Sequence, residues 1–263
     1  MTIRVGVFGA GGRMGATVCQ AVAADPALEL VAAVDPHHAG IDLRQVAKVD
    51  SPDLQVAASA DEFLRCGVEV AVDFTVVDAA RQNLAFLAEH GIHAVVGTTG
   101  FADADYATCR ESFVKSNCII APNFAIGAVL MMRFAEIAAP FFESAEIIEL
   151  HHEQKVDAPS GTAMMTAQRM AAASPDWLAD PTETTLLAGA RGGRGPAGIA
   201  VHSVRLRGLV AHQEVLLGTS GQSLSIRHDS YDRSSFMPGV LLAVKRIADV
   251  AGVTLGLEAL LGL

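Results

Sequence analysis

The opening stretch of the chain leaves few folds open. Ile3-Arg4-Val5-Gly6-Val7-Phe8 is a short apolar run rich in β-branched residues, and Gly9-Ala10-Gly11-Gly12-Arg13-Met14-Gly15 follows at once, opening a helical pattern that runs through Ala24. A strand passing through glycines straight into a helix leaves the first helical N–H groups unpaired at the turn, where anions bind. Glycines at 9, 12 and 15 permit a tight turn, close approach of backbone to a pyrophosphate, and close packing of helix on sheet. The spacing is Gly-x-x-Gly-x-x-Gly, a variant of the dinucleotide fingerprint that is weak alone. Its context is specific: Leu28–Val34 reads as the next strand, and Asp35 stands twenty residues after Gly15, where an acid holds ribose hydroxyls. An acid there favours NADH by repelling a 2′-phosphate. Arg13, His37 and His38 could offset that, so NADH and NADPH both stay open.

Strand and helix patterns then alternate. Residues 36–52 read as a polar loop and 59–64 as a short capped helix. Runs at 68–74, 92–96 and 118–121 read as strands, with helical spacing at 77–90 and 102–116. Such alternation predicts a parallel, Rossmann-like sheet with right-handed crossovers, and ligands bind at the carboxyl ends of its strands. Those ends carry Phe74-Thr75, Gly97-Thr98-Thr99 and Ala121-Pro122-Asn123-Phe124. They are expected to line the nicotinamide side of a cleft, although Thr and Asn in such places also serve simply as helix caps.

A long apolar helix over 127–142 leads into a second domain, whose centre is Glu149-Leu150-His151-His152 through Lys155 to Pro159-Ser160-Gly161-Thr162-Ala163. A strand over 146–150 delivers the histidines to its end, and a helix over 163–170 begins after Ser160-Gly161-Thr162. Two imidazoles, an ammonium group and a helix start together suit a small carboxylate or phosphate. Taken singly, these residues are as easily a solvated turn, an exposed lysine and an ordinary N-cap. No metal site is expected, because adjacent histidines on a strand point to opposite faces and the His-Glu-x-x-His spacing is absent. Residues 172–196 read as a long connection, and runs at 200–206, 213–217 and 223–228 as antiparallel hairpins. A helix over 236–250 gives the chain room to return to the first domain, against which an apolar tail at 253–257 packs. The expected division is 1–126 plus 237–263 for dinucleotide binding and 127–236, an α+β domain with a mixed or antiparallel sheet, for substrate binding and assembly.

The formal net charge of −10, with no basic block, argues against a nucleic-acid partner. An anionic ligand therefore needs a local cation, which makes Lys155 conspicuous. Four cysteines without Cys-x-x-Cys spacing, no apolar run of membrane-spanning length and no signal-like segment before the first strand predict a cytoplasmic protein with reduced thiols.

With the glycine loop, threonine turns and histidine segment in view, the chain resembles the 4-hydroxy-tetrahydrodipicolinate reductase (dihydrodipicolinate reductase) family over essentially its whole length. Glu149 through Ala163 is the most specific match, supported by Gly97-Thr98-Thr99-Gly100-Phe101 and Asn123-Phe124. The resemblance implies NAD(P)H-dependent reduction of 4-hydroxy-tetrahydrodipicolinate in diaminopimelate and lysine biosynthesis. It implies His151 as proton donor and acceptor, Lys155 as second proton donor, and His152, Gly161 and Thr162 as substrate contacts, joined by Ser160 and Thr99. It carries Gly9 to Met14, Asp35, Gly97 to Thr99 and Ala121 to Phe124 over as cofactor contacts. It also implies a homotetramer built through the C-terminal domain and a hinge between domains. Two other readings stay open: another two-domain dehydrogenase of aspartate or homoserine type, disfavoured by the histidine segment, and a dinucleotide sensor, which would need neither His151 nor Lys155.

Overall fold

The computed structural model describes residues 2–49 and 54–263. Two compact units are present, Met1–Phe124 with Phe236–Leu263, and Ala125–Ser235. In the first unit β1 (Ile3–Phe8), β2 (Leu28–Val34), β3 (Val70–Asp73), β4 (His93–Val96), β5 (Cys118–Ile120) and β11 (Val253–Leu255) form one sheet in the order β11-β5-β4-β3-β1-β2. Every pairing in it is parallel. Strands β3 and β5 are buried at every residue, as expected of strands covered on both faces.

The helices of this unit are α1 (Arg13–Ala24), α2 (Leu43–Ala47), α3 (Asp61–Arg65), α4 (Val77–His90), α5 (Asp103–Ser112), α8 (Met237–Arg246) and α9 (Glu258–Leu261). Their apolar faces supply the core: Val18, Cys19 and Val22 from α1, Leu84 and Leu87 from α4, and Phe63, fully buried, from α3. The expected loop at 36–52 is partly helical. Pro36–His38 forms a 3-10 turn under an Asp35 cap, and Asp42 caps α2, its carboxylate accepting from Arg44 N at 2.8 Å. Residues 50–52 of that stretch lie outside the described residues. The helix expected over 102–116 ends at Ser112, and that over 236–250 at Arg246. The tail forms a sixth strand, with Val253 opposite Cys118 and Leu255 opposite Ile120.

The second unit contains α6 (Ile126–Ala138), β6 (Ser144–His151), α7 (Gly161–Ala173), β7 (Gly193–Arg194), β8 (Ala200–Arg205), β9 (Ala211–Thr219) and β10 (Gln222–Ser230). Its sheet runs β10-β9-β6-β8-β7 and is mixed. β9 and β10 form the expected hairpin, but β8 pairs in parallel with β6, not with β9. The physical reason is the crossover: α7 and the following segment return the chain in the direction of β6, so β8 adds to its free edge. The segment 172–196 is not wholly a connection, since α7 continues to Ala173 and β7 lies within it.

Burial drives the Cys19 thiol up to about 12 and raises that of Cys118 as well. Both are expected to resist a thiol reagent at pH 8 in the folded protein, half-buried Cys66 reacting ahead of them. Thiol counting before and after denaturation checks this, and fast native labelling of Cys19 would contradict it.

Candidate active site

In the second unit β6 sets Glu149 and His151 on one face of the strand, two residues apart. Glu149 is fully buried, and its charge is met from three sides. Arg205, the last residue of β8, donates Nη1 to Glu149 Oε2 and Nη2 to Oε1, each at 2.9 Å. His151 Nδ1 stands 2.5 Å from Oε2, and the Ser160 N–H reaches Oε1 at 3.3 Å. Burial pushes the Glu149 carboxyl up, but the hydrogen bonds from Arg205, Ser203 and His151 outweigh it and hold the group below the usual carboxylate range.

The same guanidinium closes the loop that follows β6. Arg205 Nε donates to the carbonyl of Lys155 at 3.2 Å and Nη2 to that of Asp157 at 2.6 Å. Lys155 Nζ bonds both carboxylate oxygens of Asp157, at 2.8 and 2.7 Å. A substrate carboxylate at Lys155 would have to compete with Asp157. The loop ends in a cis Ala158–Pro159 bond and Ser160, whose Oγ accepts from Ala163 N at 3.2 Å as the N-cap of α7. Ser160 therefore has both its N–H and its hydroxyl committed within the protein, while Gly161 is exposed and Thr162 half-buried just beyond. His152 lies past the end of β6 and is exposed.

For His151, burial favours the neutral ring; Glu149 opposes this, and Lys155 and Arg205 reinforce it. The net pKa lies below the ordinary histidine value. A bound dianion would offset the two cations and return the ring toward protonation.

The first unit holds the other predicted residues at the ends of its strands. Gly9 takes φ +64° and its carbonyl accepts from Gly12 N at 2.9 Å, closing the turn. Asp35 accepts from Gly11 N at 2.9 Å and from His37 N at 3.0 Å, and the His38 ring lies 3.2 Å from its Oδ1. Buried Asp73 accepts from the Thr75 N–H and hydroxyl, both at 2.7 Å, and from Asn83 Nδ2 at 2.7 Å. Thr98 Oγ1 donates to the Thr75 carbonyl at 2.9 Å, tying the ends of β3 and β4 together. Phe74 and Phe124 pack with ring centroids 5.5 Å apart. A Cβ on Gly97 would meet the Phe74 ring at 2.0 Å. Thr99 is exposed at the end of β4.

A dinucleotide suits this unit, because Gly9, Gly11 and Gly12 bring no side chains of their own to the turn and Asp35 retains acceptor capacity beside it; the His38 ring packs against Gly11, where a Cβ would meet its Nδ1 at 2.2 Å, and would have to turn aside for a ligand at that glycine. Glu149 and Arg205 were not singled out as functional in the sequence. Glu149 read as a strand residue and Arg205 as part of a hairpin; the signal available was an acid two residues before a histidine, which places both on one face of a strand. An open pocket of about 880 Å³ elsewhere in the second unit, lined by Glu146, Trp177, Asp180 and Arg191, contains none of the expected site residues.

Comparison with known proteins identifies the family. The profile described as "Dihydrodipicolinate reductase, N-terminus" matches residues 3–124, and "Dihydrodipicolinate reductase, C-terminus" matches 127–261. The chain is 53% identical over 274 residues to the 4-hydroxy-tetrahydrodipicolinate reductase of Nocardia farcinica, covering 100% of both chains. It is 50% identical over 270 residues to that of Cutibacterium acnes, covering 99% of both. A dipicolinate-bound dihydrodipicolinate reductase from Paenisporosarcina sp. superposes with a TM-score of 0.87 at 40% identity, over 98% of this chain and 99% of that one. Both halves of the chain, in order and over their full length, thus match one family, and the chain belongs to the dihydrodipicolinate reductases.

Proposed function

We propose that this protein reduces 4-hydroxy-tetrahydrodipicolinate to tetrahydrodipicolinate with NADH or NADPH, in diaminopimelate and lysine biosynthesis. The observation that carries the reading is the convergence of His151 and the start of α7 on one buried carboxylate, whose partner Arg205 also holds the backbone of Lys155, in a chain of this family. When bound, a reduced nicotinamide supplies the hydride. Gly9 to Met14 and Asp35 would hold the dinucleotide's pyrophosphate and ribose, with Phe74, Thr75, Gly97 to Thr99 and Ala121 to Phe124 lining its nicotinamide end.

Reduction at C4 of the ring, after its 4-hydroxyl is lost, builds negative charge toward the ring nitrogen. His151 and Lys155 stabilise that charge and supply protons, acting more on the transition state than on the ground state. The Thr162 hydroxyl and the N–H groups of Gly161 and Thr162, with His152 assisting, hold a substrate carboxylate; Ser160 supports them as the cap. Asp35 favours NADH, and His37, His38 and Arg13 temper that preference. The protein acts in the cytoplasm as a homotetramer assembled through its second unit, a state that light scattering tests.

The direct experiment follows NADH and NADPH oxidation at 340 nm, with substrate made in situ from pyruvate and aspartate semialdehyde by a coupled synthase. Oxidation dependent on the synthase is expected with both cofactors. Tight cofactor binding without oxidation would refute the reading. Thr162→Ala is expected to raise KM about tenfold with little change in kcat, on the order of one lost charge-assisted hydrogen bond; an unchanged KM removes Thr162 from the carboxylate site.

A further inference from the structure

The strongest feature left unused by this mechanism is the pairing of Glu149 with Arg205. We propose that Glu149 and Arg205 are positioning residues: Glu149 fixes which imidazole nitrogen of His151 exchanges the substrate proton, and Arg205 fixes the loop that carries Lys155. The reaction is the one proposed above, and the inference rests on that reading.

An ionised carboxylate only accepts hydrogen bonds. Arg205, the Ser160 N–H and the Ser203 side chain all bond the Glu149 carboxylate, and His151 Nδ1 stands 2.5 Å from its Oε2. The ring must therefore carry its hydrogen on Nδ1, which leaves Nε2 as the nitrogen that gains and loses the catalytic proton. Arg205 adds a second constraint through the carbonyls of Lys155 and Asp157, the residues whose side chains pair on the same loop. One buried carboxylate thereby sets both proton donors.

Among the described residues the charges that act most on His151 are Glu149 on its own strand, Lys155 on the loop and Arg205 on β8; the residue opposite on β9 is Ala211, and the first turn of α7 carries no charge. Glu149 and Arg205 push the imidazole in opposite directions, so their removal should have opposite signs. Those shifts report charge; the tautomer of the neutral ring reports the hydrogen bond, because only a bond from Nδ1 fixes which nitrogen carries the hydrogen.

The test uses full-length protein labelled at histidine with ¹³C and ¹⁵N, the His151 resonance being assigned by its loss in His151→Gln. In Glu149→Gln the His151 pKa is expected to fall. In Arg205→Met it is expected to rise. The limb of kcat/KM that reports a protonated His151 moves with them, to lower pH in the first variant and higher pH in the second. At neutral pH kcat of Glu149→Gln drops on the order of 10²-fold, the scale of a misplaced catalytic group, with KM within about threefold. Should Arg205→Met not fold, the double variant Glu149→Met with Arg205→Met leaves no charge buried alone, and its neutral ring is expected to lose the preference for hydrogen on Nδ1. Shifts of the same sign in the single variants, no shift, or a ring still held at Nδ1 in the double variant overturn the proposal. The resonances do not require turnover. Absence of dicarboxylate reduction by the parent protein would refute the reaction and leave this pairing to be decided by the spectra.

Discussion

Replacing His151 with Gln or Lys155 with Met is expected to lower kcat by about 10²–10⁴-fold each, the usual contribution of a positioned proton donor. The fold should survive both changes, because His151 ends its strand and the Lys155 loop keeps the Arg205 contacts to the Lys155 and Asp157 carbonyls when the exposed Lys155–Asp157 pair is lost. Thermal melting should therefore shift little while the coupled oxidation assay collapses. The double variant is expected to lose less than the product of the single losses, since both groups answer the same developing charge and act as a unit. Loss of less than tenfold in either single variant would remove that residue from the chemistry.

The second large effect concerns the glycine turn. A Cβ on Gly15 would lie 2.0 Å from the Gly9 carbonyl oxygen and 2.7 Å from its carbon. Both are backbone atoms, so no rotamer change relieves the clash. Gly15→Ala must push α1 away from β1, and overpacking of this kind costs about 1–3 kcal/mol. For a chain of this size that corresponds to a fall in Tm of roughly 2–4 °C per kcal/mol. The same displacement carries the helix N-terminus off the pyrophosphate position, so dinucleotide affinity should fall at least about tenfold, read by cofactor fluorescence titration. Gly161→Ala is the comparison: its added methyl meets no atom within 4 Å, and its Tm should stay unchanged. Equal effects of the two substitutions would show that the Gly15 packing does not matter.

Much of this was readable in the chain because it is local. A strand running through glycines into α1, and the repeated change from apolar strand runs to helical spacing, are encoded by neighbouring residues, and they led directly to the parallel sheet of the first unit. The segment from Glu149 to Ala163 was equally legible as a cluster of chemistry, since its imidazoles, cation and helix start lie within fifteen positions. What local pattern could not carry was pairing between distant segments. Ala200–Arg205 had the right composition for a hairpin strand, but only the crossover through α7 decided that it lies parallel to β6. Val253–Leu255 looked like an apolar tail and becomes a strand only because β5 offers it a free edge.

The sequence by itself thus determined the elements, the glycine turn and the identity of the polar groups, because propensity, periodicity and capping act over a few residues. Only tertiary structure decided how those groups meet. Arg205 stands fifty-six positions from Glu149, yet its guanidinium lies 2.9 Å from both carboxylate oxygens. A fully buried carboxylate is tolerated only where such partners converge. That convergence, set by sheet register rather than by any local motif, orients the His151 ring and commits Ser160 to the protein.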